Sequence, residues 1–307
     1  MSSAFLFPGQ GSQFVGMGQE LARAFPEAAR AFEEADDVLG VRLSRLAWEG
    51  PQDELTETKN AQPALLVHSV AVHRVIGSEL GKVVAMAGHS LGEFSAHVVA
   101  GTLTFRDALE AVRLRGELMF ASGVERPGTM AAVLGLDDER AEEVCERVRD
   151  GGKICVPANF NSRGQVVISG EVEGVEAAMA RAREAGAKRV VPLTVSGAFH
   201  SPLMVPAEEG LREKLETTKF SDPQVPVVSN VTAEPVTSEE RARELLVRQL
   251  TSPVLWSSSV GTMVELGAER FYELGAGSVL CGLNKRNARG YPCVSLGSPS
   301  DLDTLEV

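Results

Sequence analysis

The sequence predicts an α/β fold in which a mostly parallel sheet is covered by helices. Short apolar segments at residues 4–7 and 83–87 have the length of buried strands, and each ends at a glycine-containing turn. Other segments, such as residues 19–35, repeat apolar side chains at helical spacing. Thirty glycines among 307 residues suit many tight turns, so strands and helices are expected to alternate in layers.

The first part of the chain predicts two strands and four helices. The strand at residues 4–7 stops at Pro8, and the strand at residues 83–87 runs into Gly88. Apolar side chains recur at helical spacing around these strands. Helices are predicted at residues 19–35, 61–75, about 92–100 and 104–121.

The middle of the chain has a different order, in which two strand-helix-strand units follow each other. Strands are predicted at residues 130–134, 154–158, 165–169 and 188–195, with helices at residues 137–149 and 172–184. This order is typical of a small ferredoxin-like sheet. We therefore expect residues 128–196 to form a ferredoxin-like subdomain inserted into a large catalytic subdomain made of residues 1–127 and 197–307.

The last part of the chain returns to alternating helices and strands. Helices are predicted at residues 204–217, 239–250, 257–266 and 278–287, and strands at residues 225–229 and 270–274. The sequence contains no internal repeat and no low-complexity segment.

The composition favours a cytoplasmic enzyme over a nucleic-acid-binding protein. The net charge is −12 and the pI about 5.0, whereas binding to phosphates needs a basic surface. No apolar run reaches the length of a membrane span, and we expect no signal peptide. The four cysteines have no metal-like spacing and are predicted to be free thiols in a reducing compartment. They are Cys145, Cys155, Cys281 and Cys293.

Residues 88–92 match the pattern Gly-x-Ser-x-Gly. Where a strand turns sharply into a helix, this pattern exposes a serine hydroxyl, and Gly88 and Gly92 let the two backbones approach closely. The helix N-terminus also offers N–H groups to an oxyanion. The pattern lies between a predicted strand and a predicted helix, so Ser90 is a candidate nucleophile in an α/β-hydrolase-like subdomain. The alternative is a glycine-flanked turn whose serine is simply buried.

A serine nucleophile needs a base, and elimination among the histidines favours His200. The chain contains His68, His73, His89, His97 and His200. His68 and His73 do not share a helix face, and the side chain of His89 should point away from Ser90. His97 lies two turns along the next helix. His200 lies between a predicted strand and a predicted helix. From the sequence alone, a solvated loop histidine is an equally good interpretation of it.

No acidic residue stands out as the third member of a triad, so a main-chain carbonyl is the preferred partner for the imidazole. Arg113 and Arg115 carry planar cations that suit a substrate carboxylate, although either one fits a surface salt bridge as well. The glycine-rich loop after the first strand has Phe14 where dinucleotide binding needs a third glycine. Its backbone N–H groups near Gln10 could instead face an oxyanion.

Taken together, these motifs resemble the malonyl-CoA:acyl carrier protein transacylase family and the related acyltransferase domains of polyketide synthases. The resemblance covers essentially the whole chain, and the motifs occur in the family's order. They lie at residues 8–13, 62–64, 88–93, 115–116, 161–162, 165–170, 198–201, 229–231, 249–250 and 253–254.

The resemblance implies a role for each matching position. Ser90 would be the nucleophile and His200 the general base and acid. Arg115, rather than Arg113, would bind the free carboxylate of the malonyl group. Backbone N–H groups of Gln10 and Leu91 would form the oxyanion hole, the main-chain carbonyl of Gln249 would hold His200, and Gln62 and Asn161 would line the substrate channel.

The resemblance also implies the reaction. A malonyl group would pass from malonyl-CoA to Ser90 and then to the phosphopantetheine thiol of an acyl carrier protein, for fatty-acid or polyketide synthesis. No bound cofactor and no metal would be needed, and a monomer is expected. Phe199, beside His200, resembles the pattern of members that take malonyl rather than methylmalonyl groups.

Two other functions compete with this interpretation. A serine hydrolase shares the sharp turn at Ser90, but it needs a triad acid and has no use for Arg115. A catalytically idle scaffold that binds carrier proteins would not need Ser90, His200 and Arg115 together.

Overall fold

The computed structural model describes residues 1–303 and 305, and it contains two β-sheets with helices packed around them. Ten strands lie in the described residues. They are β1 (Ser2–Phe7), β2 (Lys82–Gly88), β3 (Gly128–Leu134), β4 (Cys155–Ser162), β5 (Gln165–Glu171), β6 (Arg189–Pro192), β7 (Val227–Val228), β8 (Pro235–Val236), β9 (Arg270–Leu274) and β10 (Cys293–Leu296).

The helices of the described residues alternate with these strands over most of the chain. They are α1 (Gln19–Ala24), α2 (Pro26–Leu39), α3 (Leu43–Glu49), α4 (Gln52–Thr56), α5 (Thr58–Ile76), α6 (Gly92–Val99), α7 (Phe105–Glu125), α8 (Asp138–Asp150), α9 (Val172–Glu184), α10 (Val205–Thr217), α11 (Glu239–Arg248), α12 (Trp256–Glu265), α13 (Val279–Asn287) and α14 (Pro299–Leu302). Short 3₁₀ turns lie at Gly77–Glu79 and Pro202–Met204. None of the helices in this part of the chain is long and apolar enough to span a membrane.

The first sheet has the strand order β10-β9-β1-β2-β7-β8, and every pair except β7 with β8 is parallel. This confirms the predicted mixed α/β fold with a mostly parallel sheet. The central strand β1 is buried from Ser3 to Phe7, as expected for a strand covered on both faces. The carboxyl ends of β1 and β2 therefore lie side by side, which brings their following turns together.

The second sheet is antiparallel, with the order β4-β5-β3-β6. Helices α8 and α9 pack on it and share a separate apolar cluster with its strands. Its edge strand β4 also contacts the rest of the protein, because the N–H of Val254 donates to Ala158 O over 2.8 Å and the N–H of Phe160 donates to Val254 O over 2.9 Å. Main-chain hydrogen bonds thereby join the second sheet to the segment between α11 and α12.

The predicted helix at residues 19–35 is two helices, and the reason is Pro26. Phe25 has an extended backbone, as a residue before proline prefers, and Pro26 then occupies the first turn of α2. By contrast, Pro63 lies inside α5. A proline there leaves the carbonyl four residues earlier without its helical partner, and Arg113 Nη1 reaches that carbonyl, Lys59 O, at 3.4 Å.

The prediction of four free thiols is wrong for two of the cysteines. Cys281 on α13 and Cys293 on β10 form a disulfide, with their Cα atoms 5.3 Å apart. The sequence separation of 12 concealed this pairing, because the return from α13 to β10 brings the two positions together only in the fold. Cys145 and Cys155 are free, as predicted, and the structure shows that both are buried.

The approach of α6 to β1 depends on Gly92. A Cβ atom added there would lie 2.1 Å from Phe7 O and 3.0 Å from Pro8 O, and neither backbone atom can move alone. We expect Gly92→Ala to lower the free energy of unfolding by about 2 kcal/mol or more, the usual range for overpacking. Urea unfolding followed by circular dichroism measures this change.

Gly261→Ala on α12 is the matched control, because the residue is helical and no atom beyond its chain neighbours and the backbone of its own helix lies within 4 Å of the added Cβ. We expect the control to keep or raise stability by up to about 1 kcal/mol, since alanine favours the helix. Equal unfolding midpoints for Gly92→Ala and the unchanged protein would contradict this account of the packing.

Candidate active site

Ser90 lies at the sharp turn between β2 and α6, and its backbone adopts φ of 51°. This left-handed conformation is unfavourable for a residue with a side chain, so the surroundings must hold it. Asn230 does so from the segment after β7, because its Oδ1 accepts from the N–H of Ser90 at 2.7 Å and its Nδ2 donates to Gly88 O at 2.7 Å. One side chain thus fixes both ends of the turn.

His200, the candidate base, is buried and lies beside Ser90. Its Nε2 lies 2.8 Å from Ser90 Oγ, and its Nδ1 lies 2.8 Å from the main-chain oxygen of Gln249. A carbonyl oxygen only accepts hydrogen bonds, so the proton of a neutral ring must be on Nδ1. Nε2 is therefore free to accept the proton of Ser90 Oγ.

Arg115 lies in the same site, while Arg113 does not. The guanidinium of Arg115 is buried and donates to Gln62 Oε1 at 2.7 Å, to Gln249 Oε1 at 2.9 Å and to Ser90 Oγ at 3.1 Å. Arg113, two residues earlier on α7, instead donates to Glu117 and to Asn60 on the outer side of the helix. Among the described residues, no carboxylate forms a direct ion pair with Arg115.

A cavity of about 290 Å³ opens above these groups. Both main-chain N–H groups predicted for an oxyanion hole, those of Gln10 and Leu91, belong to lining residues and have no hydrogen-bond partner within residues 1–303 and 305. The lining also contains apolar side chains from both sheets and their connections. It comprises Gln10, Gly11, Gln13, Thr56, Gln62, His89, Ser90, Leu91, Arg115, Met119, Met130, Asn159, Leu193, Thr194, Val195, Phe199 and His200.

Asn161 lies behind this cavity rather than on its wall. Its Oδ1 lies 2.8 Å from His89 Nε2, and its main-chain oxygen accepts from Asn287 Nδ2. Asn159, two residues earlier on β4, is the asparagine that lines the cavity. Gln62 does line the cavity, and its amide oxygen also accepts from Arg115.

A larger groove of about 590 Å³ lies on the other side of α5 and α7, and it is not a rival site. Its walls include Lys59, Asn60 and Arg113 together with several carboxylates, and its lining contains neither Ser90 nor His200. It therefore lacks both the candidate nucleophile and the candidate base. In the described part of the chain, no three or more His, Cys, Asp or Glu side chains are grouped so that they could hold a metal ion.

Burial sets the protonation states of the site. It lowers the pKa of His200 to about 3, with the positive charge of Arg115 as the next cause, so the imidazole is neutral near pH 7. Burial also lowers the pKa of Arg115 to about 10, and that side chain remains charged. Near neutral pH the site thus offers a free base next to a permanent cation.

Sequence reasoning missed Glu93 and Asn230 as members of the site. Glu93 is buried on α6, and its Oε2 accepts from Gln249 Nε2 at 2.6 Å and from the N–H of Asn230 at 3.2 Å. Burial raises its pKa to about 7. Both residues lie in the motifs that carry the family resemblance, but their partners come from distant parts of the chain.

The sequence profile of the acyl transferase domain family matches residues 4–298. A malonyl CoA-acyl carrier protein transacylase of Bacillus subtilis is 47% identical over 300 residues, which cover 98% of this chain and 95% of the relative. The enzyme of the same name from Escherichia coli K12 is also 47% identical over 300 residues, which cover 97% of each chain.

Solved structures agree over nearly the whole length. A structure described as a type II PKS acyl-carrier protein in complex with its malonyl-transacylase matches with a TM-score of 0.95 and 46% identity, covering 99% of this chain and 98% of the other. An acyl carrier protein S-malonyltransferase from Vibrio cholerae matches with a TM-score of 0.95 and 42% identity, covering 98% of both chains.

His97 on α6 gives a test of these buried neutral histidines. Burial lowers its pKa from 6.5 to about 3, and neither ring nitrogen has a hydrogen-bond partner within the described residues. At a pH between these two pKa values, the histidine binds a proton in the unfolded chain but stays neutral in the folded chain. The free energy of unfolding therefore falls as pH drops from 6.5, by about 1.4 kcal/mol per pH unit for each such histidine.

We expect His97→Leu to reduce this slope by about one proton's worth, measured by urea unfolding between pH 4.5 and 7.5. Ser95→Ala on the same helix is the control, since it removes a buried, unpartnered group that does not titrate. An unchanged slope in His97→Leu would show that the histidine does not resist protonation.

Proposed function

Because this chain belongs to the acyl transferase family, we propose that it transfers a malonyl group from malonyl-CoA to the phosphopantetheine thiol of an acyl carrier protein. Relatives at 47% identity carry this activity in their names, and the complex among the matching structures pairs such an enzyme with a carrier protein. The transfer serves fatty-acid or polyketide synthesis. The site supports a double-displacement reaction through a malonyl ester of Ser90.

The first half of the reaction acylates Ser90. Its Oγ attacks the thioester carbonyl of malonyl-CoA while the proton moves to His200 Nε2, 2.8 Å away. The carbonyl oxygen becomes an oxyanion, which the N–H groups of Gln10 and Leu91 stabilise. When the intermediate collapses, the C–S bond breaks, and the sulfur of coenzyme A leaves as a thiol with the proton from His200.

The second half repeats these steps with the carrier protein as acceptor. His200 removes the proton of the phosphopantetheine thiol, and the sulfur attacks the ester carbonyl on Ser90. The C–O bond then breaks, and Ser90 Oγ recovers its proton from His200. Gln249 O holds the other ring nitrogen at 2.8 Å throughout, which replaces the carboxylate of a hydrolase triad.

The observation that carries this proposal is the buried cation beside the nucleophile. Arg115 Nη2 lies 3.1 Å from Ser90 Oγ, and the direct partners of the guanidinium are neutral oxygens. Because a buried cation favours a directly paired anion, the carboxylate of a malonyl group is a suitable ligand for it. A simple serine hydrolase has no need of such a group.

The cavity wall supports malonyl over branched acyl groups. Phe199 lies next to His200 in the chain, and both residues line the cavity. A bulky ring beside the base leaves little space for an α-methyl group on the acyl chain. The preference for malonyl over methylmalonyl is part of the proposal.

We also propose that the two sheets belong to two subdomains. Residues 1–127 and 197–307 would form the α/β-hydrolase-like part, and residues 128–196 the ferredoxin-like part, whose strand-helix-strand-strand-helix-strand order supports this division. Met130 and Asn159 reach the cavity from the second sheet, whereas Ser90 and Arg115 reach it from the first part. The acyl group would then bind at the junction between the two subdomains.

The direct test of the function is intact-protein mass spectrometry after incubation with malonyl-CoA. We expect one malonyl adduct, its transfer to an added holo-acyl carrier protein, and no adduct on Ser90→Ala. An adduct that is lost to water faster than to the carrier thiol would identify a hydrolase. The absence of any adduct on the unchanged protein would identify an idle scaffold, and either result would overturn the proposal.

Arg115→Ala tests the carboxylate clamp. We expect kcat/KM for malonyl-CoA to fall about 100-fold or more, the loss of two hydrogen bonds to a charged group, and that for acetyl-CoA to fall less than about tenfold. Arg113→Ala is the matched control on the same helix and should leave the ratio of the two rates unchanged. Equal losses for both substrates in Arg115→Ala would remove the clamp from the mechanism.

A further inference from the structure

Glu93 is a buried carboxylate directly beneath the site, three residues after Ser90 on α6. Its side chain is fully inaccessible, and its Oε1 has no hydrogen-bond partner within residues 1–303 and 305. A carboxylate in such a place costs stability, because burial removes its hydration without a direct ion pair. A hydrophobic residue would fill the same space at a smaller cost in stability. We therefore expect the acid to have a functional role.

The contacts of Glu93 lead to the side chain of Gln249. The amide nitrogen of Gln249 donates to Glu93 Oε2 at 2.6 Å and to the main-chain oxygen of Ser90 at 3.0 Å. Both hydrogens of this nitrogen are therefore used on acceptors. The amide has only one orientation that satisfies them, and in that orientation its oxygen accepts from Arg115 Nη2 at 2.9 Å.

We propose that Glu93 is a positioning residue for substrate selectivity, because its carboxylate fixes the amide of Gln249 and that amide directs Arg115 toward the acyl carboxylate. The inference rests on the proposed function of Arg115 as the malonyl clamp. Without the acceptor at position 93, the Gln249 amide can rotate and present its NH₂ group to the guanidinium. Two donors would then face each other, and Arg115 would lose one of the contacts that orient it.

These contacts form a relay from Glu93 through the Gln249 amide to Arg115. The relay also explains why the acid does not contact the arginine directly. A carboxylate in direct contact would form a bidentate pair with the guanidinium and occupy the edge that the substrate needs. With the Gln249 amide between them, the negative charge of Glu93 still favours the charged form of Arg115, as its effect on the pKa of Arg115 indicates. Among the described residues, Nη1 of Arg115 donates only to Gln62 Oε1, which leaves one of its hydrogens for a substrate carboxylate.

Gln249 connects this relay to the base. Its main-chain oxygen holds His200 Nδ1, and its side chain orients Arg115, so one residue aligns both groups with respect to Ser90. Substitution of its side chain leaves the main-chain oxygen in place. Gln249→Ala therefore separates the orientation of Arg115 from the orientation of His200.

The experiment compares kcat/KM for malonyl-CoA and acetyl-CoA in three variants. We expect Glu93→Ala and Gln249→Ala to lower the malonyl-to-acetyl ratio by about tenfold or more, the effect of one lost hydrogen bond to a charged group. Glu93→Gln keeps an acceptor oxygen for the Gln249 amide and should retain the ratio within about threefold, which amounts to rescue by the conservative change.

Glu273→Ala is the matched control. Glu273 is another fully buried acid, and it accepts from the N–H groups of Leu280 and Cys281 at the start of α13, outside the cavity. Its substitution should lower stability while leaving the ratio unchanged. A ratio change in Glu273→Ala as large as that in Glu93→Ala would mean that the effect follows destabilisation, which would overturn the inference.

The same variants in an Arg115→Ala background show whether the relay acts through the arginine. If it does, Glu93→Ala should have no further effect on the ratio there. If the effects of Glu93→Ala and Arg115→Ala on the ratio are fully additive, the inference is overturned. An unchanged ratio in Gln249→Ala would also overturn it, even if Glu93→Ala fails to fold. A loss in Glu93→Gln equal to that in Glu93→Ala would exclude the acceptor role.

The two proposals fail in different ways. If the unchanged protein forms no malonyl adduct on Ser90, the proposed function is wrong. If the adduct forms but the ratio is unchanged in Glu93→Ala and Gln249→Ala, only the positioning role of Glu93 is wrong.

Discussion

The left-handed backbone at Ser90 is the constraint on which the rest of the site depends. Holding this conformation costs energy, and three distant parts of the chain contribute to it. The turn after β1 packs against Gly92, Asn230 bridges the two ends of the turn, and Gln249 Nε2 binds the main-chain oxygen of Ser90. As a result the hydroxyl of Ser90 projects from the turn toward His200, and the next residue, Leu91, lines the same cavity. The strain and the reactivity of the site thus have the same origin.

The charged groups around this turn are buried and have little contact with solvent. Arg115 and Glu93 are both buried, and the Gln249 amide separates them, so they form no direct ion pair. His200 is kept neutral by burial and by the nearby guanidinium. A hydrolase triad pairs its histidine with an acid, which stabilises the imidazolium. Here the neutral carbonyl of Gln249 lies at that position, and under the proposed function the cation of Arg115 binds the substrate carboxylate.

Much of the fold was predictable from local patterns, and most of the site was not. Long elements such as α9 and β9 have clear periodicity or apolar runs, and the structure places them at the predicted residues. Short ones such as α4, β8 and β10 contain too few residues to show a period. Within the site, the pattern around Ser90 indicated a nucleophile, whereas the roles of Arg115 and Gln249 followed only from the family resemblance and stay predictions. The contacts of Asn230 and Glu93 join residues 140 and 156 positions from their partners, which no local pattern reveals.

The main-chain pairing of β4 with Val254 has a consequence for how this kind of site can diversify. Ser90 lies at the turn after β2, Arg115 lies on α7, and His200 lies in the segment between β6 and α10. Met130 and Asn159 contribute part of the cavity wall from the second sheet. Main-chain hydrogen bonds to Val254 fix that wall in register without depending on any side chain. Side chains on the wall can therefore be exchanged while the reacting groups keep their alignment. Under the proposed function, changes at this wall would fit the same reacting groups to different acyl groups.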